Sequence, residues 1–346
     1  MRTAFAAGTA TAARAATTVA VDPPADPAVD PPANPAAVAN ELIGLLDLAA
    51  VDPDGSGGAA PLADPLINLV GVFEGRPLAA GRGRAFGGLI AAQALTAAGR
   101  TVTPDRSVHS LRGYFTRRGN ARTPIAYRVE NLRDDQSAST RRVTAIQADV
   151  PVFFLTATFH APGTGPDHQA PPPPAPPPNE TPAIRTAGRA HAEAPPDELG
   201  ALMRSPFDVR YPGRAAHRGA DLPTGRGDRE PQRAWLRVAA PLPDDPLLHA
   251  GVLTYLSDMG LLDSVLVEHG QMWGPGGYAG VSIDHAVWFH RPCRADDWLL
   301  WTCRSPGAST GRGLATGRLY TADGRLVMTV AQEGVVRRAS GRGSAI

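Results

Sequence analysis

The sequence contains no lysine; all 34 of its permanently cationic side chains are arginine. Schiff-base catalysis and a P-loop lysine are therefore excluded. It has only two cysteines, Cys293 and Cys303, with no CxxC pairing, which argues against a disulfide framework and against a cysteine-based zinc site. No metal is expected. No apolar run reaches the roughly 18 residues that a membrane helix requires. The formal net charge is +1, which gives neither nucleic acid nor an anionic membrane surface anything to bind.

Proline and glycine are abundant, 35 and 37 residues, and they cluster. Residues 1–40 are Ala/Pro-rich (VDPPADPAVDPPANP) and read as a disordered leader without a secretory hydrophobic region, so a cytoplasmic location is expected. Residues 161–230 contain PPPPAPPP and read as a linker, stiff where it is polyproline and partly ordered near 206–212 (PFDVRYP). Residues 339–346 form a tail. The chain is 43% hydrophobic, ample for a core shared between the two remaining stretches, 41–160 and 231–338.

Those two stretches repeat one pattern. In the first, Val70–Gly75 reads as a strand and residues 85–100 (AFGGLIAAQALTAAGR) as a small-residue helix. Strands follow at Val108–Phe115, Ile125–Leu132, Ser139–Gln147 and Val152–Phe159. In the second, strand Trp235–Ala239 precedes an apolar stretch, Pro246–His269, read as one helix. Asp244 and Asp245 supply a cap, Pro246 stands in its first turn, and Gly270 closes it. Four strands then cover Gly280–Phe289, Trp298–Arg304, Gly313–Thr321 and Arg325–Val336, the last two joined by an Asp323-Gly324 turn. Tyr114-Phe115 answers Trp288-Phe289 at an offset of 288 − 114 = 174, and Asp149 answers Asp323 at the same offset. Such spacing implies an internal duplication. The fold class is α+β: a double hotdog, in which a mostly antiparallel sheet wraps a central helix twice.

The Pro246–His269 helix is apolar nearly all round, so it belongs inside a sheet. It nevertheless carries Asp258, and a buried carboxylate is costly unless something holds it. At the 174 offset, Ser282 corresponds to Val108 and Gln332 to Thr158, and the first helix carries no acid. One half of the duplication is therefore polar where the other is not, which predicts a single site.

The motifs AFGGLIAAQAL, VHSLRGYF, TYLSDMGLL, VSIDHAVWFHRP and GRLYTADGRLVMTVAQEGVVR resemble those of the acyl-CoA thioesterase II family. The resemblance spans roughly 41–160 and 205–338. It implies a double-hotdog hydrolase that cleaves acyl-CoA without a cofactor, in which an Asp, a Thr and a Gln hold the attacking water. Carried over by motif, these are Asp258, Ser282 in place of Thr, and Gln332. Leu89 stands where the family has a Gln after FGG. Arg117, Arg118 and Arg291, at strand ends, are candidates for the coenzyme A phosphates. Backbone N–H groups at a helix start would bind the developing oxyanion; either Gly87/Gly88 or the His249–Gly251 end could supply them. Sheet faces of such a fold need covering, so a homo-oligomer is expected.

Three rival readings bear on function. Gly307-Ala308-Ser309-Thr310-Gly311 matches GxSxG but lies between strands, not between a strand and a helix. Asp245 to His249 approaches the helix-opening dyad of a hotdog enoyl-thioester hydratase, with its His one residue late. A non-catalytic acyl-CoA-binding or scaffold protein of the same fold is the remaining alternative.

Overall fold

A computed structural model describes residues 35–52, 68–77, 83–181, 207–212, 231–271, 273–274 and 276–339. The expectations for residues 1–34, most of the linker and the end of the tail lie outside these. Helix α1 (Pro35–Leu46) starts inside the stretch assigned to the leader. Proline in the first turn and the Ala-rich run after it favour a helix, and Ala39 and Leu42 bury against the core.

The first repeat contains β2 (Leu69–Gly75), α2 (Gly87–Gly99), β3 (Ser107–Phe115), β4 (Ile125–Asp134), β5 (Ala138–Gln147) and β6 (Val150–His160), preceded by the two-residue β1 (Ala49–Ala50). The second contains β8 (Gln232–Val238), α3 (Pro246–Ser257), α4 (Asp263–Val267), β9 (Tyr278–Ser282), β10 (Asp284–Phe289), β11 (Leu299–Ser309), β12 (Arg312–Thr321) and β13 (Leu326–Arg338). The expected order near 206–212 is strand β7 (Phe207–Arg210), paired with β8.

All the strand pairs are antiparallel, and they form one sheet in the order β1-β2-β4-β5-β6-β3-β10-β13-β12-β11-β8-β7, with β9 also on β13. The repeats join where β3 meets β10, and Arg112 pairs there with Ala286. At the 174 offset these two are twins, so a pseudo-twofold axis passes between them. The same offset places His109, which falls at the register shift in β3, opposite Ile283, where β9 gives way to β10. The irregularity was duplicated with the strand.

Helices α2 and α3 lie inside the sheet. Gly88 of α2 abuts the carbonyl of Tyr255, and Gly99 abuts Leu247, so the helices run antiparallel. A Cβ on Gly88 would stand 2.5 Å from that carbonyl oxygen. The Ala/Gly composition of α2 is thus what allows the backbones to meet.

Two expectations change. The stretch Pro246–His269 is not one helix: α3 stops with Asp258 as its C-cap, and Gly260 takes φ +67° before α4 begins. Glycine tolerates that left-handed turn where other residues pay for it. The strand expected over Gly280–Phe289 is likewise broken, at Ile283, whose N–H bonds to the Glu333 carbonyl while the Glu333 N–H bonds to Asp284 Oδ1 at 2.7 Å.

Residues 161–181 do not hang free. Leu299 and Trp301 of β11 face the helices, so Leu300 faces outward. With Trp235, Tyr320 and Leu326, its neighbours across four strands, it forms a buried row on the outer face. The proline segment covers this row. Trp235 Nε1 donates to the Pro176 carbonyl at 2.8 Å, Arg210 to that of Pro178 at 2.6 Å and Tyr320 Oη to that of Pro171 at 3.3 Å. Proline carbonyls suit this role, because their nitrogens offer no competing donor. Replacing Pro171–Pro178 with a Gly/Ser sequence of equal length should lower the melting temperature by several degrees and speed proteolysis within 161–181. Unchanged melting and protease resistance would show that the strap contributes no stability.

Candidate active site

The site forms where the end of α3 lies beside the start of α2. Because α3 stops at Ser257, the Asp258 side chain leaves the helix sideways, toward the first turn of α2. The Gly88 N–H donates to Asp258 Oδ2 at 2.8 Å. First-turn N–H groups have no partner within their own helix, and the dipole there favours an anion. Gly87 leaves the space: a Cβ on it would lie 2.8 Å from Asp258 Oδ2 and 2.9 Å from the Phe115 ring.

Two strands supply the other side. Ser282 ends β9, and Gln332 lies in the middle of β13. Gln332 Nε2 donates to Asp258 Oδ1 at 2.5 Å and to Ser282 Oγ at 2.9 Å, while Ser282 Oγ donates to Asp258 Oδ1 at 3.4 Å. The three residues read from motifs are therefore brought together, with Gly88, from four separate elements. Their exposure differs. Gln332 is 1% exposed, whereas Asp258 and Ser282 are half-buried. Asp258 is thus less enclosed than an all-round apolar helix implied, because the helix ends at it.

The remaining candidates divide. Gly87 and Gly88 line the site. His249 and Gly251 do not: they lie on α3 seven to nine residues before Asp258, roughly 10–14 Å along the axis at 1.5 Å per residue. The His249 Nδ1 accepts from the Ala295 N–H at 3.1 Å, and Gly251 faces Leu46 and Thr96, where it serves helix packing. Arg117 leaves β3 two residues past Phe115, on the site's side, and its guanidinium donates to the Pro151 carbonyl at 3.1 Å. Arg291 lies beyond the far end of β10, paired with Asp167 and donating to the Leu326 carbonyl at 2.8 Å. The span from Ser282 to Arg291, about 3.3 Å per residue along a strand, puts it outside reach of the trio.

The rival motifs resolve in the same way. Asp245 Oδ1 accepts from the N–H groups of Leu247 and Leu248, so it caps α3 and is not half of a hydratase dyad. The GxSxG stretch is the β11–β12 hairpin, with Thr310 and Gly311 at positive φ. Among the described residues no group of three or more metal-ligating side chains could hold an ion.

Behind Asp258 lies a buried polar pair, Ser257 and His285. His285 Nε2 lies 2.7 Å from Ser257 Oγ, and Ser257 Oγ donates to the Thr254 carbonyl at 2.7 Å. Complete burial pushes the His285 pKa below its ordinary value near 6.5, against the opposing pull of Asp258 and Asp284.

Comparison with known proteins adds the family. A profile described as acyl-CoA thioesterase matches residues 215–335, and one described as the acyl-CoA thioesterase N-terminal domain matches residues 76–160. Acyl-coenzyme A thioesterase 8 of Homo sapiens is 37% identical over 288 residues, covering 77% of this chain and 84% of that protein. Acyl-CoA thioesterase 2 of Haemophilus influenzae is 34% identical over 272 residues, covering 77% and 92%. The chain belongs to the acyl-CoA thioesterase II family. A crystal structure of an acyl-CoA thioesterase II from Mycobacterium marinum superposes with TM-score 0.66 at 36% identity, covering 87% of this chain and 99% of that one. As a thioesterase II, the chain is a thioester hydrolase of double-hotdog fold. Among the described residues, no helix is long and apolar enough to cross a membrane.

Burial also depresses the pKa values of His249, His109 and His290. A histidine that resists protonation when folded costs nothing above about pH 6.5; below it the unfolded chain binds a proton that the folded chain refuses. Stability should therefore fall as pH drops from about 6.5, and His285→Gln should reduce that slope. Thermal melts between pH 5 and 8 check this; an unchanged slope would show that His285 does not contribute.

Proposed function

We propose that this protein hydrolyses acyl-CoA thioesters to free fatty acid and coenzyme A at the Asp258–Ser282–Gln332 cluster. The observation that carries the reading is the convergence of Ser282 and Gln332 on Asp258, itself held by the Gly88 N–H, while the duplicated positions are occupied by Val108 and, where the sheet register shifts the offset by one from the Thr158 expected, by Ala157. One active site per chain follows.

Asp258 and Ser282 form the solvent-facing edge of the cluster, and Gln332 is behind them. Water held at that edge gives a proton to Asp258 as its oxygen attacks the thioester carbonyl. Gln332, through its amide N–H groups, orients both the carboxylate and the serine hydroxyl. The α2 first turn is the anion-favouring wall for the tetrahedral oxyanion. Collapse breaks the C–S bond, and the proton returns from Asp258 to the departing thiolate. Serine in place of threonine preserves the donor and acceptor but frees χ1. Of the candidate arginines, we assign Arg117, two residues past Phe115, to the coenzyme A phosphates.

A cytoplasmic location suits two unpaired thiols, Cys293 and Cys303. We further place a homo-oligomeric contact on the outer face of β3 and β6, where Tyr114 pairs with Phe154 and is 59% exposed. Light scattering of wild type against Tyr114→Arg checks it; an unchanged mass would remove that contact.

Free-thiol release from acyl-CoA is the decisive assay. Asp258→Asn should lower kcat by about 10²-fold or more, since the amide cannot accept the proton. Ser282→Thr should match or exceed wild type, and Ser282→Ala should lose at least tenfold. Turnover that survives Asp258→Asn would remove the mechanism. Acyl-CoA binding without turnover in the wild type would select the binding-protein alternative.

A further inference from the structure

His285 is 1% exposed, and its position in the fold does not require a polar side chain. The 174 offset pairs it with Leu111, equally buried in the first repeat. The same pocket is thus filled by a hydrocarbon where there is no catalytic cluster and by an imidazole where there is one. Burying the imidazole costs desolvation that leucine avoids.

The hydrogen bonds define what the imidazole does. Ser257 has one hydroxyl hydrogen, and it points to the Thr254 carbonyl. The contact between Ser257 Oγ and His285 Nε2 must then use a hydrogen on nitrogen, so His285 is the neutral Nε2–H tautomer. Its Nδ1 is left as a buried acceptor with no partner, a further cost that leucine would not incur. Ser257 is the last residue of α3, and Asp258 follows it directly. His285 also stands directly opposite Gln332 across β10 and β13, one step along the register from the Ala286–Ala331 pair. Both side chains face inward, and the unpartnered buried acceptors in this corner are His285 Nδ1 and Gln332 Oε1.

We propose that His285 is a positioning residue: through Ser257 it clamps the end of α3 and so fixes where Asp258 leaves the helix, beside Gln332. It touches neither substrate nor water. The inference rests on the proposed role of Asp258. Misplacing a reacting group by about 1 Å can cost on the order of 10²-fold in rate, so a clamp at the preceding residue has a measurable effect.

The test uses the full chain and steady-state thiol release. His285→Leu installs the residue that the first repeat already accommodates, so it should melt at or above the wild-type temperature. Its kcat should fall about 10- to 100-fold, with KM within about twofold. His285→Gln, whose amide can still donate to Ser257, should recover most of the loss. Ser257→Ala, which removes the acceptor together with the hydroxyl's bond to the Thr254 carbonyl, should reproduce the fall in kcat and carries the test if the Leu variant is unstable. Nitrogen NMR of the labelled imidazole should show Nε2 protonated and Nδ1 bare near pH 7. Wild-type kcat in both His285→Leu and Ser257→Ala overturns the clamp, as does a protonated Nδ1. If these variants are fully active while Asp258→Asn is dead, the clamp alone fails; if Asp258→Asn is active, the reading of the site fails.

Discussion

Asp258 is held where the end of one central helix lies beside the start of its antiparallel neighbour, and much of the molecule exists to make that meeting possible. A carboxylate at the C-terminal end of its own helix faces the negative end of that dipole. It is stabilised by the opposite pole of α2, delivered through the Gly88 N–H at 2.8 Å. That delivery requires the helix backbones to approach until a Cβ at Gly88 would clash with the Tyr255 carbonyl. The run of glycine and alanine in α2 is therefore a geometric requirement of the site as well as of the core.

The duplication explains how such a contact arises. A pseudo-twofold axis through the Arg112–Ala286 pair makes the helices antiparallel, so each helix start meets the other helix's end. The same axis offers an equivalent corner at the other ends of α2 and α3. There Gly99 meets Leu247 through a hydrocarbon side chain, and the acid at that corner, Asp245, belongs to the helix start that it caps. The symmetric scaffold thus offers two corners, and in the Asp258 corner the acid at the end of one helix is held by the start of the other. Val108, Ala157 and Leu111 show what the first repeat does with positions that hold Ser282, Gln332 and His285 in the second.

Much of this was legible in the sequence. Period-two alternation and turn residues marked nearly every strand, and the fixed offset revealed the repeat. Motif positions assembled the trio that the fold brings together. What sequence could not show was where continuous apolarity conceals a break. Pro246–His269 is apolar throughout, so nothing in its hydrophobic pattern separates α3 from α4. The signal was Gly260, a single residue that can take positive φ. Leu300 was a similar blind spot, since an outward apolar residue is explained only by a proline strap from far away in the chain. That Arg291 lies away from the trio was hidden for a related reason. A strand end is a position in sequence, but which end of the sheet it occupies depends on direction, and β10 runs away from Ser282.

The distribution of burial within the cluster also bears on how it divides its work. Gln332 can offer two N–H groups, and both of its contacts run to oxygens of its partners rather than to solvent. An amide placed so deep contributes by fixing the angle between a carboxylate and a hydroxyl, and its desolvation is offset only while both acceptors stay in place. On the proposed mechanism the half-buried pair, Asp258 and Ser282, faces the reacting groups. A buried orienter behind an accessible base preserves alignment without closing the site to water. For hydrolysis that is the necessary compromise, because the same solvent that would loosen the geometry is also the nucleophile.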